Sequence, residues 1–370
     1  MNVSTTPSLY ERMATLAERH VPFAIATVVR TQGSTPQIIG ARMVVTGDIN
    51  ERPAGTLGGG CVEADAIVTA RQILAGNPRV VHRHQLNEEL AWNTGLVCGG
   101  TMWILVEEYS EALMCNGRSF LADAVDAVLG GPPLAIVTRL VREGRDELVF
   151  AGRAFVLAGG RLVGSVGPPS TDERVREAAV EQMRRGTPRL MVADETSDLL
   201  IEPIVRRPQL VIAGGGHVAK AIARQAQLLD FDVAILEDRP EFADPARFDG
   251  AEVVSGPVPD SISSFDFGPQ SWLVIATRGH KIDGDCVLAA ARTSVPYIGL
   301  LGSRRKTILI AEMLQAEGIS ADRVGAVRAP VGLDLGGRTP AEIALSVLAE
   351  ITQIRYSGSG APLCLPDRAQ

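Results

Sequence analysis

Leu210-Val211-Ile212-Ala213-Gly214-Gly215-Gly216-His217-Val218-Ala219 is the stretch whose reading decides the fold. Four consecutive apolar residues predict a strand buried on both faces. Three glycines follow at once, and a helical pattern then places Val218, Ile222 and Leu229 on one side. A second strand, Val233 to Leu236, ends at Glu237 and Asp238. Strand, glycine turn, helix, strand and acid in that order form the βαβ dinucleotide fingerprint. Gly214 and Gly216 take its first two glycine positions and Ala219 the third. The first glycine permits a tight turn, and the second lets backbone N–H groups approach a phosphate at the helix N-terminus. Asp238 would then accept from a ribose diol. Whether a nucleotide is bound is a separate matter, because this fold hosts many functions.

Working outward, strands are predicted at Glu252–Val254, Trp272–Ala276, Tyr297–Leu301 and Val324–Arg328, with helices at Asp283–Arg292, Arg305–Glu317 and Pro340–Arg355. That alternation is a doubly wound, mostly parallel sheet over residues 208–356, followed by a loose tail, 357–370. Ligands in such folds bind at the carboxyl ends of the strands. Three loops land there: Gly214 to His217, Thr277-Arg278-Gly279-His280, and Gly302-Ser303-Arg304-Arg305-Lys306. Cations that open a helix oppose its macrodipole, so local stability does not explain them. Ser303, exposed N–H groups and the guanidinium groups of Arg304 and Arg305 would suit a phosphate. The competing reading is a solvated basic helix end. His217 and His280 either converge on a ligand or one of them caps a helix. Cys286, on a helix face, reads as structural.

The first half of the chain, residues 1–195, reads as an α/β domain joined by a connection, Asp194–Pro208, that Pro203 and Pro208 keep irregular. Its centre is Gly55-Thr56-Leu57-Gly58-Gly59-Gly60-Cys61-Val62-Glu63. Gly58, Gly59 and Gly60 strip a loop of side chains and deliver the chain to Cys61, where a helix to Leu74 begins. A thiol there faces the unpaired first-turn N–H groups, which favour thiolate and make Cys61 a candidate soft ligand or nucleophile. An inert buried Cys after a tight turn is the alternative. Gly95-Leu96-Val97-Cys98-Gly99-Gly100 repeats the theme with Cys98. His82 and His84 point the same way on the strand Arg79–Gln85, but no third ligand has recognisable spacing. Leu134–Val141, Glu147–Phe150, Ala154–Ala158 and Arg161–Val166 read as a meander of short strands separated by Gly turns, before a helix at Thr171–Arg185.

Composition excludes several classes. The 370 residues are 46% apolar and 21% charged with a net charge of −7, which argues for folded domains and against a nucleic-acid surface. No apolar run reaches the roughly 18 residues of a membrane span. Met1 to Phe23 lacks a signal-peptide core, and five scattered cysteines without a Cys-x-x-Cys pair fit reduced thiols in the cytoplasm. A Gly-x-Ser-x-Gly elbow, a Gly-Lys-Ser/Thr phosphate loop and a His-Glu-x-x-His motif are all missing.

Taken together, the motifs resemble one family, the XdhC/CoxF-type accessory proteins of xanthine dehydrogenase and related molybdenum hydroxylases. The resemblance rests on Ala26–Pro36, Gly55–Ala66, Gly95–Met102, Gly214–Ala223, Glu237–Ala243, Thr277–Asp283, Tyr297–Lys306 and Ala329–Ile351. It implies a cytoplasmic, dimeric chaperone that binds molybdenum cofactor. The cofactor would be held while a cysteine desulfurase exchanges an oxo ligand for sulfido, then inserted into an apo molybdenum hydroxylase. In that reading Cys61 and Cys98 contact molybdenum and the basic loop holds the cofactor's phosphate. The competing expectation is an NAD(P)-dependent oxidoreductase with Gly214, Gly216 and Asp238 on the nucleotide and His280 as acid/base. A non-catalytic redox or nucleotide sensor is a third.

Overall fold

The computed structural model describes residues 8–86, 99–144 and 146–362. They divide into two compact units, Met1–Arg206 and Arg207–Gln370.

The first unit has four layers, helix, sheet, sheet and helix. In one sheet, β1 (Phe23–Gln32) lies between β2 (Arg42–Thr46) and β5 (Thr101–Glu108), with β3 (Ala54–Gly55) and β4 (Val80–Gln85) at the edges; every pairing is antiparallel. A small hairpin, β6 (Met114–Cys115) and β7 (Arg118–Ser119), leads to the helix Leu121–Val128. The second sheet contains β8 (Leu134–Glu143), β9 (Glu147–Leu157), β10 (Leu162–Gly164), β11 (Arg189–Val192) and β12 (Ser197–Ile204), in the order β10-β9-β8-β12-β11. Alternation along β1 explains the layering. Ala24, Ala26 and Val28 pack under the helix Gly60–Leu74, while Ile25 faces Ile136, Phe155 and Ile204 of the other sheet. The helix Pro169–Arg185 covers the far side of the second sheet through Val175, Ala179 and Met183.

Two expectations are corrected in this unit. The segment read as an irregular connection contains β12, a strand paired on both sides, in which Pro203 sits opposite Ala135 near the strand end. Buried apolar residues Leu199 to Ile201 outweigh a single missing N–H donor. The two short strands either side of Gly152 are one strand, β9. Arg139 faces Gly152 while Leu140 faces Phe150, so the glycine marks a β-bulge instead of a turn.

Between the sheets lie four charges. Arg42 Nη2 is 3.0 Å from Glu202 Oε1, and Arg153 grips Glu107 through two hydrogen bonds of 2.7 and 2.8 Å. All four side chains are buried, at 13% exposure or less.

The second unit is the doubly wound sheet. β13 (Gln209–Ala213), β14 (Asp232–Glu237), β15 (Glu252–Ser255), β16 (Ser271–Ile275), β17 (Tyr297–Leu300) and β18 (Val327–Arg328) are all parallel in the order β15-β14-β13-β16-β17-β18. Helices His217–Leu228 and Pro340–Tyr356 cover one face; Val258–Ser264, His280–Ala291 and Arg304–Ala316 cover the other. The switch point falls between β13 and β16. Among the described residues no helix is long and apolar enough to cross a membrane.

Removing one member of a buried ion pair strands the other. Glu202→Leu is therefore expected to destabilise the first unit by about 3–5 kcal/mol, read as a lower urea midpoint. Arg42→Met combined with Glu202→Leu should recover most of that loss. A wild-type midpoint in the single variant would contradict this account.

Candidate functional site

The Gly58–Gly60 loop is held from inside by an acid. Glu63 Oε1 accepts from Thr56 Oγ1 at 2.5 Å and from the amides of Leu57 and Gly59, both at 2.9 Å. Burial alone would raise this carboxyl's pKa, but the hydrogen bonds from Thr56, Leu57 and Gly59 outweigh it and hold Glu63 below its ordinary range. Gly58, Gly59 and Gly60 all have positive φ, between 66° and 104°. At Gly58 the reason is packing as well as turn geometry, since a Cβ there would lie 2.5 Å from Pro36. Cys61 follows in the first turn of the helix Gly60–Leu74, and its thiol is free and exposed.

The same turn that receives Gly58 also receives the second glycine motif. A Cβ on Gly100 would meet the carbonyl oxygen of Ser34 at 2.4 Å, and Gly33 abuts the Gly100 Cα. Thr31 to Pro36 thus forms a wall between the two glycine loops. Sequence reasoning noted this turn but gave it no role, because nothing local signals its neighbours. Cys98 lies outside the described residues. His82 and His84 face the helix, where His82 Nε2 sits 3.2 Å from Thr69 Oγ1 and His84 Nδ1 sits 3.7 Å from Asp65. Among the described residues no cluster of three His, Cys, Asp or Glu is arranged to hold a metal ion.

In the second unit the strand ends form a cleft of about 350 Å³ lined by Gly214, Glu237, Asp238, Arg239, Thr277 and Arg278. Gly214 has φ +111°, and a Cβ there would meet the Ala276 carbonyl oxygen at 2.6 Å, so only glycine fits the turn. Around Gly216 a Cβ would touch nothing within 4 Å, which leaves the loop's outer face open. Asp238 and Arg278 are exposed at the cleft, and His217 is exposed at the start of its helix. Glu237 is committed internally. Its carboxylate accepts from Gly215 N at 2.5 Å and from Arg239 Nε and Nη2 at 2.9 Å each. Burial opposes ionisation here too, yet the bonds from Arg239, Asp238 and Gly215 hold Glu237 well below the usual carboxylate range, and its neighbour Asp238 is raised in turn. The Phe242 ring gathers the guanidinium groups of Arg239, Arg247 and Arg278 at 3.7, 4.5 and 5.3 Å.

The basic loop is less free than its composition implies. Ser303 caps its helix through Lys306 N at 3.4 Å, and Arg305 is exposed. Lys306 turns inward to the buried Asp283, which also accepts from Thr277. His280 and Arg304 open the helices His280–Ala291 and Arg304–Ala316. Cys286 is buried and its thiol is pushed up to about 12, first by burial and then by Asp283, as expected of a structural thiol.

Comparison with known proteins gives these sites a family. Residues 210–351 match the model of the XdhC Rossmann domain, and residues 16–84 match that of the XdhC and CoxI family, together more than half of the chain. The chain belongs to the XdhC and CoxI family. Within it, a Bacillus subtilis protein named as a probable xanthine dehydrogenase subunit is 26% identical over 92% of this chain and 95% of its own length. The molybdenum cofactor insertion chaperone PaoD of Escherichia coli is 26% identical over 90% of this chain and 83% of its own. The uncharacterized Escherichia coli protein YqeB is 30% identical over 58% of this chain, a match that spans 42% of YqeB. A crystal structure described as a xanthine dehydrogenase from Bacillus halodurans shares the fold, with a TM-score of 0.67 at 23% identity, covering 96% of this chain and 98% of that one.

Because Glu63 titrates below its ordinary value of 4.5, its hold on the loop is complete above that pH and lost as pH falls through the lowered value. Hydrogen-exchange protection of the Leu57 and Gly59 amides should therefore stay level from pH 7 to pH 4.5 and decline below it. Glu63→Gln should lower that protection at every pH. Equal protection in the variant would remove Glu63 from this role.

Proposed function

We propose that this chain is an accessory protein of molybdenum hydroxylases. It binds the molybdenum cofactor as cargo, keeps it during sulfuration by a cysteine desulfurase, and inserts it into an apo-enzyme of the xanthine dehydrogenase type. It acts as a homodimer in the cytoplasm. The observation that carries this reading is the similarity, across both units, to a protein named as a molybdenum cofactor insertion chaperone.

The chemistry of the residues fits such a cargo. An exposed thiol is a soft donor suited to a metal bound by sulfur. Gly59 leaves open space beside Cys61, since a Cβ there would touch nothing within 4 Å. A holder must also release, and a thiol at a loop edge can disengage without opening a core. Cys98, Gly58, Gly59 and Gly60 complete the proposed thiol side. Gly214, Gly216, His217, Asp238, Arg278, His280, Ser303, Arg304 and Arg305 form the proposed phosphate side, where Glu237 is already satisfied and the exposed groups are the ones left for a ligand.

Cys61→Ser, purified from cells that make molybdenum cofactor, is expected to retain pterin and metal at least about tenfold less than the parent after a spin column, with its fold intact. Unchanged retention would sink the role of Cys61. Tight NAD or NADP binding in titration calorimetry, accompanied by hydride turnover, would replace the whole proposal with an oxidoreductase.

A further inference from the structure

Residues 23–108 and 134–204 build one half-domain twice. When β8 to β12 are counted as first to fifth, both sheets run third-second-first-fifth-fourth, all antiparallel, with one helix between the third and fourth strands. Side chains coincide as well as topology. Ala24-Ile25-Ala26-Thr27 answers to Ala135-Ile136-Val137-Thr138, and Gly55-Thr56-Leu57-Gly58 to Gly164-Ser165-Val166-Gly167. Thr27 pairs with Arg42 as Thr138 pairs with Arg153; Ile25 pairs with Glu107 as Ile136 pairs with Glu202. Gly55 and Gly164 have φ +84° and +88°, and each lies against the carbonyl of its own arginine, Arg42 or Arg153. Asp172 accepts from Ser165 Oγ at 2.7 Å and from Val166 N at 2.9 Å, as Glu63 does from Thr56 and Leu57.

The contact between the halves is reciprocal. Arg42 of the first half pairs with Glu202 of the second, and their counterparts Arg153 and Glu107 pair the other way. Residue i meeting j while j′ meets i′ is the signature of a two-fold, self-complementary interface.

Where the halves differ, the first is the more elaborate. Its first two strands are joined by residues 33–41, against 144–146 in the second half, and its last two by 86–100, against 193–196. At the helix start Gly59-Gly60-Cys61 stands opposite Pro168-Pro169-Ser170. The features common to both copies, the acid that ties down the loop and the glycine against an arginine carbonyl, are therefore scaffold. The features confined to the first copy meet one another, Gly58 on Pro36 and Gly100 on Ser34.

We propose that Met1–Arg206 is a tandem duplication retaining the interface of an ancestral homodimer, with its chemistry confined to the first copy's edge around Ser34, Gly58 and Cys61. Gly164–Ser170 is the silent counterpart of the Cys61 loop. The cofactor part of the following test rests on the function proposed above, and the labelling part does not.

Ser170 is exposed, as Cys61 is. In a Cys61→Ser background, Ser170→Cys should create a thiol alkylated by iodoacetamide within about threefold of the parent's Cys61 rate, read peptide by peptide in a mass spectrometer. Adding Pro168→Gly and Pro169→Gly should leave that rate within the same range. With circular dichroism unchanged, labelling at least about tenfold slower in Ser170→Cys would overturn the equivalence of the loops. Pterin retention should stay at the Cys61→Ser level in every variant. Its recovery through the new thiol would overturn the confinement of chemistry to the first copy. If Cys61→Ser itself retains pterin, the proposed role of Cys61 fails, while the labelling rates still decide the duplication.

Discussion

Two arginines and two glutamates buried between the sheets govern the first unit. Removing four charges from water is costly, and their mutual attraction offsets that cost only when geometry is good. Here the geometry is supplied by register. Arg42 reaches Glu202 only if β2 and β12 stand as they do, and a one-residue slip of either strand would turn its charge to the opposite face. The same holds for Arg153 and Glu107 across β9 and β5. Apolar packing around Ile25, Ile136 and Phe155 brings the sheets together without fixing their stagger. The ion pairs fix it, and so determine which loops share an edge.

At that edge and in the second unit, one device recurs. An acid inside each loop consumes the polar groups that would otherwise leave the backbone loose. Glu63 takes the amides of Leu57 and Gly59, Glu237 takes Gly215 and Arg239, and Asp283 takes Lys306 and Thr277. Groups not consumed in this way stand at the surface: Cys61 in one unit, His217, Arg278 and Arg305 in the other. An ordered loop with a few exposed groups is preorganised, so little conformational entropy is lost when a ligand binds.

The sequence displays these features unevenly, for physical reasons. Strands buried on both faces are continuous apolar runs, so β13 and β14 are plain and the glycine turn between them follows. β12 is not plain, because Asp198, Glu202 and Pro203 interrupt its pattern and only the partner arginines explain the charges. Lys306 belongs by spacing to a basic cluster, but its partner Asp283 is 23 residues away and comes close only in the fold. Cys61 is legible as a glycine-delivered thiol, whereas the Thr31–Pro36 wall acquires meaning only when Gly58 and Gly100 are seen against it.

The duplicated half-domain escapes a linear reading for a similar reason. Its matching fragments are four residues long and separated by connections of unequal length, so no fixed period repeats. What is conserved between the halves is a set of relations: a threonine opposite an arginine, a glycine against its carbonyl, an acid tying the loop to the helix. These relations persist because each satisfies a buried or strained backbone group that the fold must satisfy twice. The thiol is under no such constraint. Serine serves the frame equally well at position 170, so the presence of Cys61 in the first copy calls for an explanation outside the frame, in chemistry at that edge.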